Sequence, residues 1–144
     1  MTVRNIAVLL AASALACAGT AFAHHSFSAE FDAAKPVKLT GIVTKVEWTN
    51  PHVWFYINVK DQATGQVKNW GAEMGPPHGL QRSGWRRETL KIGEEVTIDG
   101  FLARNGANRM NARTVTLTST GGRPGQTLDA NSSAGGANAG GANQ

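Results

Sequence analysis

A chain of 144 residues, 41% hydrophobic and 17% charged, has the length of one small domain and enough apolar content to build a core. Fourteen basic against ten acidic residues give a formal net charge of +4, and the pI of 9.6 reflects how few charges there are rather than a dense basic patch, which disfavours nucleic acid as a partner. The single cysteine, Cys17, excludes a disulfide within the chain.

The first 23 residues have the plan of an export signal. Arg4 gives a charged start, Ile6 to Ala18 is an apolar run too short to span a bilayer comfortably, and Ala21-Phe22-Ala23 has the A-x-A form of a cleavage site. The run has neither the amphipathic period nor the polar face of a buried N-terminal helix. A lipoprotein signal would need a Leu-like residue three positions before Cys17, where Ala14 stands. Cleavage after Ala23 is therefore expected, leaving His24 as the N-terminus of a periplasmic or secreted chain with no cysteine and no membrane span.

Residues 24–36 read as an N-terminal arm, extended or irregular, with Phe27 and Phe31 as anchors. Residues 37–118 read as strands. Leu39 to Trp48 is the first, with Gly41 marking a bend or bulge, and Asn50-Pro51 is the turn that follows. Val53, Phe55, Ile57 and Val59 alternate with His52, Trp54, Tyr56, Asn58 and Lys60, the period of a half-buried second strand. After a turn at Gly65, the third strand, Val67 to Met74, puts Trp70, Ala72 and Met74 on one side and Asn69, Gly71 and Glu73 on the other. Gly75-Pro76-Pro77 breaks the sheet, Pro77 opens a short helix to about Ser83, and Gly84 is placed to cap it. Val96, Ile98, Gly100 and Leu102 mark a fourth strand, Asn105 to Asn108 a hairpin loop, and Met110 to Leu117 a fifth strand. Residues 119–144 are dominated by Gly, Ala, Asn, Ser and Thr, lack the apolar side chains that offset ordering entropy, and read as a disordered tail.

Three strands, a short helix and two more strands is the order of an all-β, five-stranded OB-fold-like barrel. An immunoglobulin-like sandwich normally has seven strands. Closure into a barrel also removes the sheet edges that an open five-stranded sheet exposes.

Four motifs follow one another along this frame: Ala23-His24-His25-Ser26-Phe27, Trp48-Thr49-Asn50-Pro51-His52, Gly84-Trp85-Arg86 and Lys91-Ile92-Gly93-Glu94-Glu95-Val96. In them the chain resembles a family of small secreted bacterial proteins classed as a domain of unknown function, over most of residues 23–117. The resemblance implies a periplasmic or secreted protein with an OB-like barrel. It transfers no activity and no catalytic residue.

Function must then come from the residues themselves. With Val53, Phe55 and Ile57 inward, Trp54 and Tyr56 face outward on strand two, the surface across which OB-folds commonly bind extended ligands. Trp54, Tyr56, Trp85 and Arg86 are the ligand-binding candidates, with an envelope protein or glycan as the expected partner. Export and modest charge argue against nucleic acid, although Arg82, Arg86 and Arg87 surround Trp85. The alternative is a copper-binding protein. A processed His24 offers its amine and an imidazole nitrogen, donors that suit Cu(II), and His52 is the best further ligand, with Glu73 and His78 behind it. Ser26 occupies the third mature position, which excludes the amino-terminal copper motif that needs a histidine there. The plainer explanations are a solvated His24-His25 chain start and a hydrogen-bonded turn histidine at position 52. No Gly-x-Ser-x-Gly, His-Glu-x-x-His or phosphate-loop pattern is present, and Glu94 and Glu95, as strand neighbours, point to opposite faces. The expected role is that of a binding or accessory module, not an enzyme.

Overall fold

The computed structural model describes residues 26–119 and 125–130. Its elements are α1 (Ser26–Glu30), β1 (Phe31–Glu47), β2 (Trp54–Lys60), β3 (Val67–Glu73), α2 (Pro77–Arg82), β4 (Glu95–Ala103), β5 (Arg109–Leu117) and β6 (Gln126–Asp129). The export signal and residues 131–144 lie outside the described residues, as do His24 and His25. No helix among the described residues is long and apolar enough to cross a membrane.

The sheet runs β3-β2-β1-β4-β5-β6, and a further parallel pairing of β3 with β5 closes the first five strands into a ring. This is the expected all-β, OB-like barrel. Alternation sets its inside: Val53, Phe55 and Ile57 of the second-strand segment meet Val96, Ile98 and Val115 in one buried cluster. Val59 and Trp70, also expected inside, are only partly buried and pack against the rim of that cluster. Helix α2 begins with Pro77 at its first turn and contributes Leu80 to the same core. Gly84, at φ +92°, then reverses the chain, and the Trp85 amide returns to the Leu80 carbonyl at 3.0 Å.

Three boundaries differ from expectation. First, β1 starts at Phe31 rather than Leu39, because Pro36 to Ile42 pair with β4 while Ile42 to Glu47 pair with β2. One long strand thus serves both neighbours, and the segment to 36 belongs partly to the barrel. Second, the bulge falls between Val43 and Lys45, not at Gly41. Gly41 answers a different need: a Cβ there would stand 2.5 Å from the Asn58 carbonyl oxygen, so β1 and β2 approach closely only without one. Third, part of the segment assigned to the tail is structural. Gln126–Asp129 adds a sixth strand to the edge of β5, and Leu128 and Ala130 are buried. Composition misjudged this stretch because its order comes from backbone partners already in place. Ala130 donates to the Arg113 carbonyl at 2.7 Å and accepts from the Gly75 amide at 3.0 Å.

Candidate functional site

Strand register assembles two rows of side chains on the outer face of the barrel. Trp54, Glu73 and Asn111 align across β2, β3 and β5, and Tyr56, Gly71 and Arg109 form the next row. Their neighbours Phe55, Ala72 and Met110 point the other way, into the core. Gly71 supplies no side chain, so the Tyr56 and Trp54 rings lie over it, 3.3 and 3.6 Å from where a Cβ would be. The Arg109 guanidinium stacks on Trp54, 4.5 Å from the ring centroid. Tyr56 donates its hydroxyl to Glu47 at 3.0 Å, and Lys45 sits 5.3 Å from the Tyr56 ring.

Although they stand on the outer face, Glu73 and Asn111 are only 8% and 3% exposed. The cover comes from α1 and from the loop before β2. Phe27 and Glu30 of α1, Thr49 to His52 of the loop, and Trp54, Glu73, Arg109 and Asn111 of the sheet enclose a groove of about 460 Å³. The arm is fastened independently of that groove. Phe27 stacks on Phe31 and meets the edge of Phe101, each at 5.8 Å, and Arg104 donates its amide to the Glu30 carbonyl and its Nε to the Ser28 carbonyl at 2.7 Å. Phe27 and Phe31 therefore act as the anchors their sequence position suggested.

Within the groove, His52 Nδ1 and Glu73 Oε1 share a hydrogen bond. Burial pushes the Glu73 carboxyl above its ordinary range, and the nearby Glu30 adds to this. The charge and hydrogen bond of His52 and a hydrogen bond from Asn111 pull it back. The carboxylate is thus held inside the protein by named partners, and the imidazole it grips is 23% exposed at the groove. Among the described residues no group of three His, Cys, Asp or Glu side chains is placed to hold a metal ion.

The structure brings together His52, Glu73 and Trp54 from the expected set. Tyr56 is one row away on the same face. Trp85 is not a surface residue: it is fully buried, and its Nε1 donates to the Asp129 carbonyl at 2.7 Å, so its role is in the core. Arg86 is exposed, but its Nη1 donates to the carbonyls of Gln81 and Trp85 at 3.1 and 2.8 Å, which ties off the end of α2. His78 is exposed on α2 and does not line the groove. Sequence reasoning missed Arg109, Asn111 and Glu30. The alternation of Met110 and Ala112 around Asn111 marks the outer face of β5, but only the β3–β5 pairing places that face beside Glu73.

A family model described as a family of unknown function (DUF6152) matches residues 12–112. No curated protein matches the sequence. Among solved structures, the chain is similar to the mitochondrial single-stranded DNA binding protein Rim1 from S. cerevisiae, with 11% identity, 60% of this chain and 96% of that chain covered, and a TM-score of 0.48.

Proposed function

We propose, for a chain that belongs to the DUF6152 family of unknown function, that it is an exported binding module holding Cu(II) between its processed N-terminus and His52. The observation that carries this reading is the buried Glu73 carboxylate on His52 Nδ1. A carboxylate on one ring nitrogen is the usual partner of a metal-ligating histidine. It fixes the ring and makes the other nitrogen, Nε2, the better donor. Glu73, expected as an oxygen ligand, is better used here as the residue that orients His52.

The remaining donors come from the arm. His24 is three residues before Phe27, which lines the groove. Three residues span at most about 11 Å, so a chain cut after Ala23 starts within that reach of the groove. Its amine and imidazole, with His52 Nε2, make a three-nitrogen set that suits Cu(II) by ligand type and affinity order. Export to the periplasm or medium is part of the same proposal, because only cleavage creates the amine.

The other expected role, an envelope protein or glycan stacked on the outer face of β2, draws less support. Trp54 lies beneath Arg109, Tyr56 is bonded to Glu47, and Trp85 is in the core. The test is a Cu(II) competition titration against a chelator, using a chain that begins at His24, confirmed by intact mass. One extra residue before His24 should weaken binding sharply, His52→Ala should weaken it in part, and His78→Ala should leave it unchanged. Equal affinity in all four proteins, or no binding above background in any, would overturn the proposal.

A further inference from the structure

We infer that Asn105-Gly106, in the loop between β4 and β5, is a self-modification site: the asparagine converts through a succinimide to aspartate and isoaspartate, and the isoaspartate form loosens the loop's hold on α1 and β3. Asparagine followed by glycine occurs once in the chain, and both residues are exposed. The turn itself requires this pair. Gly106 sits at φ +74°, a conformation that L side chains rarely adopt, and a Cβ on it would meet nothing within 4 Å, so conformation and not crowding selects glycine. Asn105 accepts the Ala107 amide on Oδ1 at 3.0 Å, the turn that Asn and Asp side chains make with the backbone two residues on.

Three features of this turn favour ring closure. The hydrogen bond folds the Asn105 side chain back along the Gly106 peptide. It also draws electrons from the Cγ carbonyl and stabilises the oxyanion that forms there. The Gly106 amide, which is the nucleophile, donates no hydrogen bond among the described residues and has no Cβ beside it to hinder attack. Once base removes its proton, the Gly106 nitrogen bonds to Asn105 Cγ, the Cγ–Nδ2 bond breaks, and the leaving nitrogen takes a proton from water to depart as ammonia. Water then opens the ring at either carbonyl and is the one co-reactant. The two products differ in what they do to the loop. Aspartate keeps the turn, because its carboxylate accepts the Ala107 amide as the side-chain amide oxygen did. Isoaspartate sends the main chain through Cβ, which lengthens the loop by a methylene and removes the turn. The neighbours carry that change outward. Arg104 holds α1 through the Glu30 and Ser28 carbonyls, and the Asn108 carbonyl accepts the Gly71 amide at 3.0 Å, beside the β3–β5 pairing that closes the ring of strands. Asp99-Gly100, the other step of this kind in the sequence, lies inside β4 and is paired with both β1 and β5, so it has no such freedom.

The experiment ages the folded chain in mildly alkaline buffer and follows each asparagine by peptide mapping and mass spectrometry, with aspartate and isoaspartate separated by chromatography. A guanidinium-unfolded sample at the same pH and temperature is the comparison. Asn105 should convert before any other asparagine, and about 2- to 10-fold faster in the folded chain than in the unfolded one, the effect on a rate of one hydrogen bond to a forming oxyanion. Asp99 should isomerise only in the unfolded sample. By NMR, the isoaspartate form should shift the Arg104 and Gly71 amide resonances, and Asn105→Asp, which carries the charge without the longer chain, should move them far less. Equal or slower conversion of Asn105 in the folded chain, earlier conversion of another asparagine, or an isoaspartate form whose Arg104 and Gly71 resonances stay in place would each overturn the inference.

Discussion

Replacing Trp85 by Phe tests the largest reassignment made by the fold. Trp85 is fully buried, and its indole N–H is spent on the Asp129 carbonyl at 2.7 Å, which ties β6 to the end of α2. Phenylalanine keeps a ring but removes the donor and the smaller part of the indole. The lost hydrogen bond is worth about 0.5–1.5 kcal/mol net. The missing ring atoms leave a void of ~40 Å³, which at ~24 cal/mol per Å³ adds about 1 kcal/mol. The total is about 2 kcal/mol, or roughly 10 °C in melting temperature for a domain of this size. Urea unfolding should be followed by far-ultraviolet circular dichroism, because Trp48, Trp54 and Trp70 would confuse a fluorescence signal. A surface tryptophan would change stability by less than about 0.5 kcal/mol. A shift that small would refute core placement and return Trp85 to the ligand-contact role its arginine-rich surroundings suggest.

Leu128→Ala should cost about 2 kcal/mol, the low end of the range for buried leucines because β6 is an edge strand, and an unchanged urea midpoint would place residues 125–130 in a solvated tail after all. Gly100→Ala should be more damaging, at about 3 kcal/mol or beyond, since its Cβ would stand 2.1 Å from the Asn111 carbonyl oxygen and 2.8 Å from Met110 Cε; normal stability on thermal melting would show that β4 and β5 are not this close. Asp61 accepts the amides of Thr64 and Ala63 at 2.8 and 2.9 Å, and these bonds, Thr64 first, hold its carboxyl below the ordinary 3.8. Its folded value is depressed, so its stabilisation is present above the unfolded value and is lost as pH falls through the folded one. The difference in urea midpoint between wild type and Asp61→Ala should therefore shrink below pH 3.8, and a difference that grows on acidification would contradict the turn geometry.

The parts of the fold that were legible are those where local rules act alone. The strict alternation from Val53 to Val59 has one solution on a half-buried strand, and the Pro77 to Gly84 interval has one solution as a short capped helix. Illegible parts depend on partners distant in sequence. Ala33, Ala34 and Lys35 are exposed and carry no alternation, so nothing local joins Phe31 to β1. The Trp85 ring is committed by the φ of Gly84 and by a carbonyl 44 residues away. Of the site, His52, Trp54 and Glu73 were legible from facing alone. Arg109 and Asn111 required the parallel pairing of β3 with β5, which no spacing in the sequence encodes.

A hydrogen-bonded His–Glu pair on the outer face of a barrel calls for an explanation beyond stability. Burying a carboxylate opposes folding, as the upward push on Glu73 records, and a buried ionic pair is commonly no better for stability than an apolar pair of the same shape. The arm does not account for it either. Phe27, Phe31 and Phe101 hold α1 to the end of β4, and Arg104 bonds its carbonyls, all without using His52 or Glu73. The pair stands at the edge of a groove, beside an arginine stacked on Trp54 and under the arm that carries Phe27 and Glu30. A structural pair gains nothing from that position. On the copper reading proposed above, the pair has a use: Glu73 would orient the ligating imidazole through Nδ1 and turn Nε2 to face a metal.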